Sequence, residues 1–322
     1  MLGIRTVDYH TGGEPFRIVT GGVDELRGST ILEKRRDALA RLDHARRLLV
    51  FEPRGHADMY GCHVVEPNDD GADLGVVFFH NAGYSTACGH GTIALVTWAL
   101  DEGVLERREG ENRVVVDVPS GRLETWATVA GGKVRSVRFR NVPAYVWAEG
   151  LDVGGRDVDV AFGGAFYGSV EERVEPAELP RLIALGRELK RAIEAGHEVV
   201  HPLEPELRDV YGVIFWQEED GDPLTQRNVT VFADGEVDRS PCGSGTSARL
   251  ALLDGSGRLP RGEELRHLSI VGSEFRGRVV GDADVAGVPA VVTEVEGSAH
   301  RTGEHVFALD PDDPLGEGFL LR

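Results

Sequence analysis

A chain of 322 residues, 41% of them hydrophobic, holds enough apolar material for one large core or two cores of ordinary size. Its formal net charge of -19 and pI near 5.0 argue against nucleic-acid and anionic-membrane partners, whose surfaces call for a basic footprint. The three cysteines, Cys62, Cys88 and Cys242, are odd in number and far apart with no C-x-x-C, a pattern that fits neither a disulfide framework nor an ordinary zinc site.

From Met1 to His10 there is no apolar run of signal-peptide length, and the longest apolar stretch, Ile93 to Leu100, is far too short to span a bilayer. The expected setting is the cytoplasm, where thiols stay reduced. The only lysines are Lys34, Lys133 and Lys190, against many Asp, Glu and Arg. Such a surface suits a salt-rich cytoplasm, and a high-GC genome favours the same arginine bias.

In chain order, Ile4 to Val7 and Phe16 to Thr20 read as strands around His10-Thr-Gly-Gly-Glu14-Pro, a turn by its glycines and proline. His10 and Glu14 are read either as lining a site or as fixing that loop. Thr30-Ile-Leu-Glu33 is a capping box, and Leu32, Leu39 and Leu42 continue at helical spacing towards Leu49. Leu48-Leu-Val-Phe-Glu-Pro53 then reads as strand-like and leads into the polar loop Arg54 to Cys62, followed by the strand Gly75 to Phe79. Cys62, with no glycine-rich turn behind it, reads as a buried core thiol.

Thr92 to Leu100 is apolar on most faces and predicts a buried helix that stops near Gly103. Arg113 to Val118, Leu123 to Val129 and Val134 to Val142 alternate as three strands. A boundary is placed between Pro143 and Gly155, where the pattern restarts. Val158 to Ser169 reads as strand, Leu182, Leu185, Leu189 and Ile193 mark a helix ending before Gly196, and Val213 to Trp216 and Asn228 to Phe232 are strands. The helix after Cys242 stops around Gly255. Two lobes follow, 1–145 with Cys88, joined by 302–322, and 146–301 with Cys242.

The chemistry concentrates on two matching turns. Cys88, Gly89, Gly91, Thr92 and Ala94 align with Cys242, Gly243, Gly245, Thr246 and Ala248, each set opening a helix. The first amides of such a helix are unpaired and carry the positive end of its dipole, so the turn holds a small anion such as a carboxylate and lowers the pKa of a cysteine placed there. With one sulfur for each face of an α-carbon, the pair has the makings of a two-base racemase that needs no cofactor.

Asn81-Ala-Gly-Tyr84 leading to Cys88-Gly-His90, and Asp238-Arg-Ser-Pro-Cys242-Gly-Ser-Gly-Thr246, resemble the two signature motifs of the proline racemase family. That family includes proline racemases, hydroxyproline 2-epimerases and trans-3-hydroxy-L-proline dehydratases. Further similar stretches are His10 to Pro15, Glu52 to His56, Phe162 to Tyr167 and Ala299 to Gly303. The resemblance implies an α/β fold of two similar lobes, each a curled, mostly antiparallel sheet around a central helix, as in diaminopimelate epimerase. It also implies Cys88 and Cys242 as the acid/base pair, and His90 and Asp238 near the ring nitrogen of a proline-like substrate. Gly89, Gly243, Ser244, Gly245 and Thr246 complete the expected substrate contacts, with His56 on a loop near the pocket. No cofactor and no metal are expected. The expected partner is a small imino acid, with a homodimer as the assembly allowed for.

Other readings stand beside this one. A metal site from Cys62, His63, Cys88 and His90 rests on weak C-x-H spacing. A nucleotide site lacks the Walker lysine and a G-x-G-x-x-G after a strand. A non-catalytic amino-acid binding protein uses the same anion-holding turns and needs neither thiol. Within the family, the dehydratase branch typically has Thr where Cys242 stands, so cysteine at both positions favours inversion. Yet His10 to Glu14, Arg54 to Asp58 and Ala299 to Gly303 look more like the dehydratase branch. Epimerisation is the leading reading and dehydration the alternative.

Overall fold

In the computed structural model, which describes residues 3–321, these periodicities resolve into strands joined alternately by hairpins and helical crossovers. The chain divides into two compact units, one running to Val137 and completed from Ser298 onwards, the other Arg138–Gly297.

In the first unit, β1 (Ile4–Thr11) and β2 (Glu14–Gly21) form a hairpin through Gly12 and Gly13, at φ 58° and 94°, a backbone that glycine adopts without steric cost. α1 (Ile31–Arg41) and α2 (Asp43–Val50) cross over to β3 (Tyr60–Val65), which lies parallel to β2. β4 (Leu74–His80) returns antiparallel to β3, and α3 (Gly89–Asp101) crosses to β5 (Gly110–Val118), parallel to β4. β6 (Gly121–Ala130) makes a hairpin with β5, and the C-terminal strand Ala299–Phe307 pairs antiparallel with β1. The division between the units falls inside β7 (Lys133–Arg140).

α3 packs against β1, β2, β3, β6 and the C-terminal strand, and it is buried from Gly89 to Leu100, as its nearly uniform apolarity requires. α1 and α2 lie against β4 and share a core with it: Ile31, Ala38, Leu48 and Leu49 pack with Val77 and Phe79. Phe78, on the opposite face of β4, meets Phe16 edge-on at 6.2 Å. With side chains packed on both faces, β4 is buried along its whole length.

The second unit repeats this plan. β8 (Tyr145–Asp152), β9 (Asp157–Phe162) and β10 (Phe166–Glu171) pair antiparallel in turn. α4 (Leu179–Gly196) crosses to β11 (Val210–Glu219), parallel to β10, and β12 (Thr225–Phe232) returns antiparallel. A short β13 (Glu236–Asp238) folds back on β12, and α5 (Gly243–Gly255) crosses to β14 (Leu265–Ser269), parallel to β12. β15 (Glu274–Val285) and β16 (Val288–Gly297) follow as antiparallel neighbours. A bridge between Ala144 and Val291 joins the start of β8 to β16 and curls the sheet around α5, which packs against β8, β9, β10, β15 and β16. Antiparallel, antiparallel, parallel, antiparallel, parallel, antiparallel is thus the order of pairing in both units, so the duplication seen in the two thiol motifs extends to topology. Glu294, buried on β16, takes ion pairs from Arg138, Arg140 and Arg278, the kind of arginine pairing that the lysine-poor composition leads one to expect.

Four local readings change. The helix opened by the Thr30 capping box breaks at Leu42, whose backbone (φ -115°, ψ 12°) ends α1 and begins α2. The apolar run Leu48–Leu49–Val50 is the last turn of α2 and not strand, because a short apolar run fits a buried helix turn as well as a buried strand. Val158 to Ser169 is a hairpin, turned by Gly163 and Gly164. Tyr145–Asp152, inside the stretch taken as a boundary, is a strand, and the units divide at 137/138 and 297/298, compared with 145/146 and 301/302 in the sequence reading. No helix among the described residues is long and apolar enough to cross a membrane.

Each unit also docks a glycine hairpin onto the first turn of its buried helix. Thr11 Oγ1 donates to the carbonyl of His90 at 2.9 Å. In the second unit, a Cβ on Gly163 would lie 2.3 Å from the carbonyl oxygen of Ser244 and 2.7 Å from the amide nitrogen of Ala248, both backbone atoms that cannot move aside. Gly163→Ala is therefore expected to lower Tm by roughly 5 °C or more, consistent with ~1–3 kcal/mol for overpacking. Gly196→Ala, at a helix end where a Cβ meets nothing within 4 Å, serves as the control and leaves Tm level or slightly higher. Equal melting of the two variants would refute the docking argument.

Candidate active site

Cys88 is the N-cap of α3, with extended backbone (φ -156°, ψ 96°), and its sulfur accepts the amide of Gly91 at 3.2 Å. Any side chain at Gly91 would crowd that sulfur: a Cβ would sit 2.7 Å from Sγ and 2.4 Å from the Phe16 ring. The His90 ring lies 3.5 Å from the same sulfur and is held edge-on between Phe16 (5.7 Å) and Tyr60 (4.9 Å). Burial among these rings lowers the His90 pKa to about 3, so His90 is a neutral imidazole at Cys88 and not a cation. Thr92 closes the turn, its hydroxyl and its amide both donating to the Cys88 carbonyl at 2.9 Å.

Cys242 is the N-cap of α5, and Gly245 stands to it as Gly91 stands to Cys88: a Cβ there would be 2.9 Å from Sγ. The Thr246 amide bonds the Cys242 carbonyl at 2.7 Å, and the Thr246 hydroxyl meets Nδ1 of buried His267 at 2.8 Å. The backbone is different. Cys242 has φ 64° and ψ 102°, a left-handed conformation that is costly for a residue with a Cβ. A chain of hydrogen bonds holds it there: Asp238 Oδ1 accepts from the Ser240 amide (2.8 Å) and hydroxyl (2.6 Å), and Ser240 Oγ accepts the Cys242 amide (3.1 Å). β13, the short strand that folds back on β12, delivers Asp238 to this turn.

The electrostatics depart from the expectation that the helix field leaves a thiolate. Burial, then the charge of Asp238, pushes the Cys242 thiol up to about 12, against the pull of the Thr230 hydroxyl, the Gly245 amide and the Tyr167 hydroxyl. Cys242 is therefore a thiol at neutral pH. Asp238 is itself raised to about 6 by burial, with Ser240 opposing.

The remaining expected residues fall as follows. Gly89 and Gly243 are the first residues of α3 and α5, and Ser244 is buried with its hydroxyl 2.6 Å from that of Tyr167. His56 is exposed on the loop before β3, its Nδ1 2.7 Å from the Ala57 carbonyl, while its own carbonyl accepts from Asn81. Asn81 also bonds the Val50 carbonyl, which makes that part of the first motif a brace for the loop. Glu14 is fully buried, and His10 packs its ring on that of His300 at 5.3 Å. Cys62 is buried in β3 with its pKa raised by burial, as a core thiol. Residues that carried no role in the sequence reading are Tyr167, Thr230 and Ser240 around Cys242, and Phe16 and Tyr60 around His90. Tyr167 had one signal, its place at the end of the glycine-bearing stretch Phe162 to Tyr167.

A model described as proline racemase matches residues 6–320. The chain is 45% identical to a trans-3-hydroxy-L-proline dehydratase of Bacillus thuringiensis subsp. konkukian, over 98% of this chain and 97% of the other. It is 46% identical to a 3-hydroxyproline 2-epimerase of Burkholderia multivorans, over 99% and 98%. A crystal structure of a hydroxyproline epimerase from Agrobacterium vitis with bound trans-4-hydroxy-L-proline superposes with TM-score 0.91 at 31% identity, covering 99% of this chain and 96% of that one.

A buried carboxyl whose folded pKa of about 6 exceeds its ordinary 3.8 favours folding in its protonated form. That contribution is complete below pH 3.8 and is lost as pH rises through 6. Asp238→Asn keeps an oxygen for Ser240 and removes the titration. Between about pH 4 and 6.5 its Tm is expected to gain on that of the wild type and then to run parallel; a pH-independent difference would mean that the carboxylate is solvated.

Proposed function

We propose, since this chain belongs to the proline racemase family, that it inverts the α-carbon of proline or hydroxyproline by cofactor-independent proton transfer between two thiols. The observation that carries the reading is the pair of cysteines at matching N-caps, each followed after two residues by a glycine that leaves room for its sulfur. Inversion needs a base for one face of the α-carbon and an acid for the other. A Cys242 kept as a thiol supplies the acid, and Cys88, whose sulfur accepts an amide, supplies the base; the reverse reaction exchanges these roles. The positive ends of the two helix dipoles suit the substrate carboxylate and the negative charge that develops on it as the α-proton leaves. Asp238, whose pKa of about 6 leaves it an anion at neutral pH, is assigned to the ring ammonium, with neutral His90 as a hydrogen-bond partner. Three cysteines outside any disulfide suit a reducing cytoplasm as the place of work.

Dehydration of trans-3-hydroxy-L-proline is the second reading, favoured by the 45% identity to a relative named for that reaction. There one base removes the α-proton, the 3-hydroxyl leaves as water, and the resulting enamine tautomerises with loss of the stereocentre.

Purified protein assayed with L-proline, trans-4-hydroxy-L-proline and trans-3-hydroxy-L-proline separates the two. Inverted product formed in D2O is expected to carry deuterium at Cα, and Cys88→Ala and Cys242→Ala are each expected to lower inversion by ~10² to 10⁴. Cys242→Thr is expected to abolish inversion. Ready dehydration of trans-3-hydroxy-L-proline by the wild type, with no inversion of any proline, would transfer the assignment to the second reading.

A further inference from the structure

A group that acts as an acid in one direction and as a base in the other has an unusual requirement. Its neighbour must accept a hydrogen bond from the thiol and donate one to the thiolate. A backbone amide does only the second and a carbonyl only the first, whereas a hydroxyl does both. A hydroxyl has a single proton, however, so it changes roles only if a third group takes up or supplies the bond it gives away.

Such an arrangement stands at Cys242. The Tyr167 hydroxyl lies 3.8 Å from Sγ, where the thiol donates to it, and 2.6 Å from the hydroxyl of Ser244, a pair in which either oxygen can be the donor. Both side chains are buried, Tyr167 at 1% and Ser244 at 4% exposure, so water does not substitute for either. The Tyr167 ring packs with Ala161, Ala165, Ile214, Ala248 and Leu252 and meets Tyr211 edge-on at 5.8 Å, which fixes the hydroxyl relative to the sulfur. Ser244 is the second residue of α5, two positions after the cysteine it serves.

We infer that Tyr167 and Ser244 are positioning residues that form a reversible hydroxyl relay for Cys242. With the thiol protonated, S–H donates to Tyr167 and Tyr167 donates to Ser244. When the thiol gives up its proton, the tyrosine O–H turns to the sulfur and Ser244 O–H donates to the tyrosine oxygen. No proton leaves the pair; only the direction of two hydrogen bonds reverses. The relay eases ionisation of a thiol that burial and Asp238 hold in the protonated form. In the corresponding place, two residues beyond its cysteine, the first unit has His90.

This inference rests on Cys242 as an acid/base group but not on any particular substrate, and its test reads thiol acidity without turnover. Trypsin releases Ser240 to Arg249 as a peptide whose only cysteine is Cys242. Alkylation of the folded protein by iodoacetamide between about pH 7.5 and 9.5, followed by mass spectrometry of that peptide, therefore gives the rate at this one thiol. Tyr167→Phe is expected to slow it about tenfold at each pH, equivalent to about one pKa unit, with the rate at Cys88 unchanged. Phenylalanine is smaller than tyrosine, so a slower reaction reports acidity and not access. Ser244→Ala is expected to slow it about two- to threefold, and it keeps the question answerable should Tyr167→Phe fold poorly. A Cys242 rate that is unchanged or faster in a folded variant would overturn the relay. Loss of inversion by Tyr167→Phe with an unaltered alkylation rate would also overturn it, assigning the tyrosine to substrate contact instead.

Discussion

The two thiol turns depend on one steric condition, met twice. A cysteine sulfur lies over the opening of a buried helix only if the residue three positions on has no side chain, because a Cβ at Gly91 or Gly245 would come within 2.7 or 2.9 Å of that sulfur. The condition explains why both motifs carry glycine at that place, although the residue just before it is His90 in one and Ser244 in the other. It also ties local chemistry to the fold. The helices so opened, α3 and α5, are the ones around which the two sheets curl, and the hairpins at Thr11 and Gly163 dock on their first turns. Displacing either hairpin disturbs the amides and the sulfur together.

Within this shared frame the two thiols are chemically unlike. Cys88 reaches its position with ordinary extended backbone and has a neutral imidazole beside it, enclosed by aromatic rings. Cys242 is bent into a left-handed conformation, a cost of the order of 1–2 kcal/mol, and the Asp238–Ser240 hydrogen bonds hold it there. The aspartate that braces the turn also raises the thiol's pKa, so a single buried charge serves structure and reactivity at once. Duplication supplied two equivalent platforms, and the residues between β12 and α5 made one of them different.

Buried polar groups crowd the inner face of β12. Gln226, Asn228 and Thr230 alternate along it, and Arg249 of α5 donates to Gln226 and stacks over Trp216 at 3.7 Å. Desolvation lowers the Arg249 pKa to about 10, still well above neutrality, so its charge persists inside the unit. A polar interior of this kind is costly unless each group is placed.

Much of this was legible in the chain itself. The matched thiol turns, the capping box at Thr30, the buried character of the helix after Cys88 and the helix ending at Gly196 all rest on neighbours a few residues apart, and local sterics and periodicity decide such features. Tertiary packing decided the rest. It showed that Leu48 to Val50 end a helix, that Cys242 stays a thiol despite its place at a helix opening, and that Tyr167, some 75 residues away in sequence, stands beside its sulfur. Desolvation and long-range neighbours set these properties, and neither is a function of the residues next door. Sequence alone specified where the sulfurs sit on their helices; only the folded protein specified what surrounds them, because burial and non-local contact determine acidity.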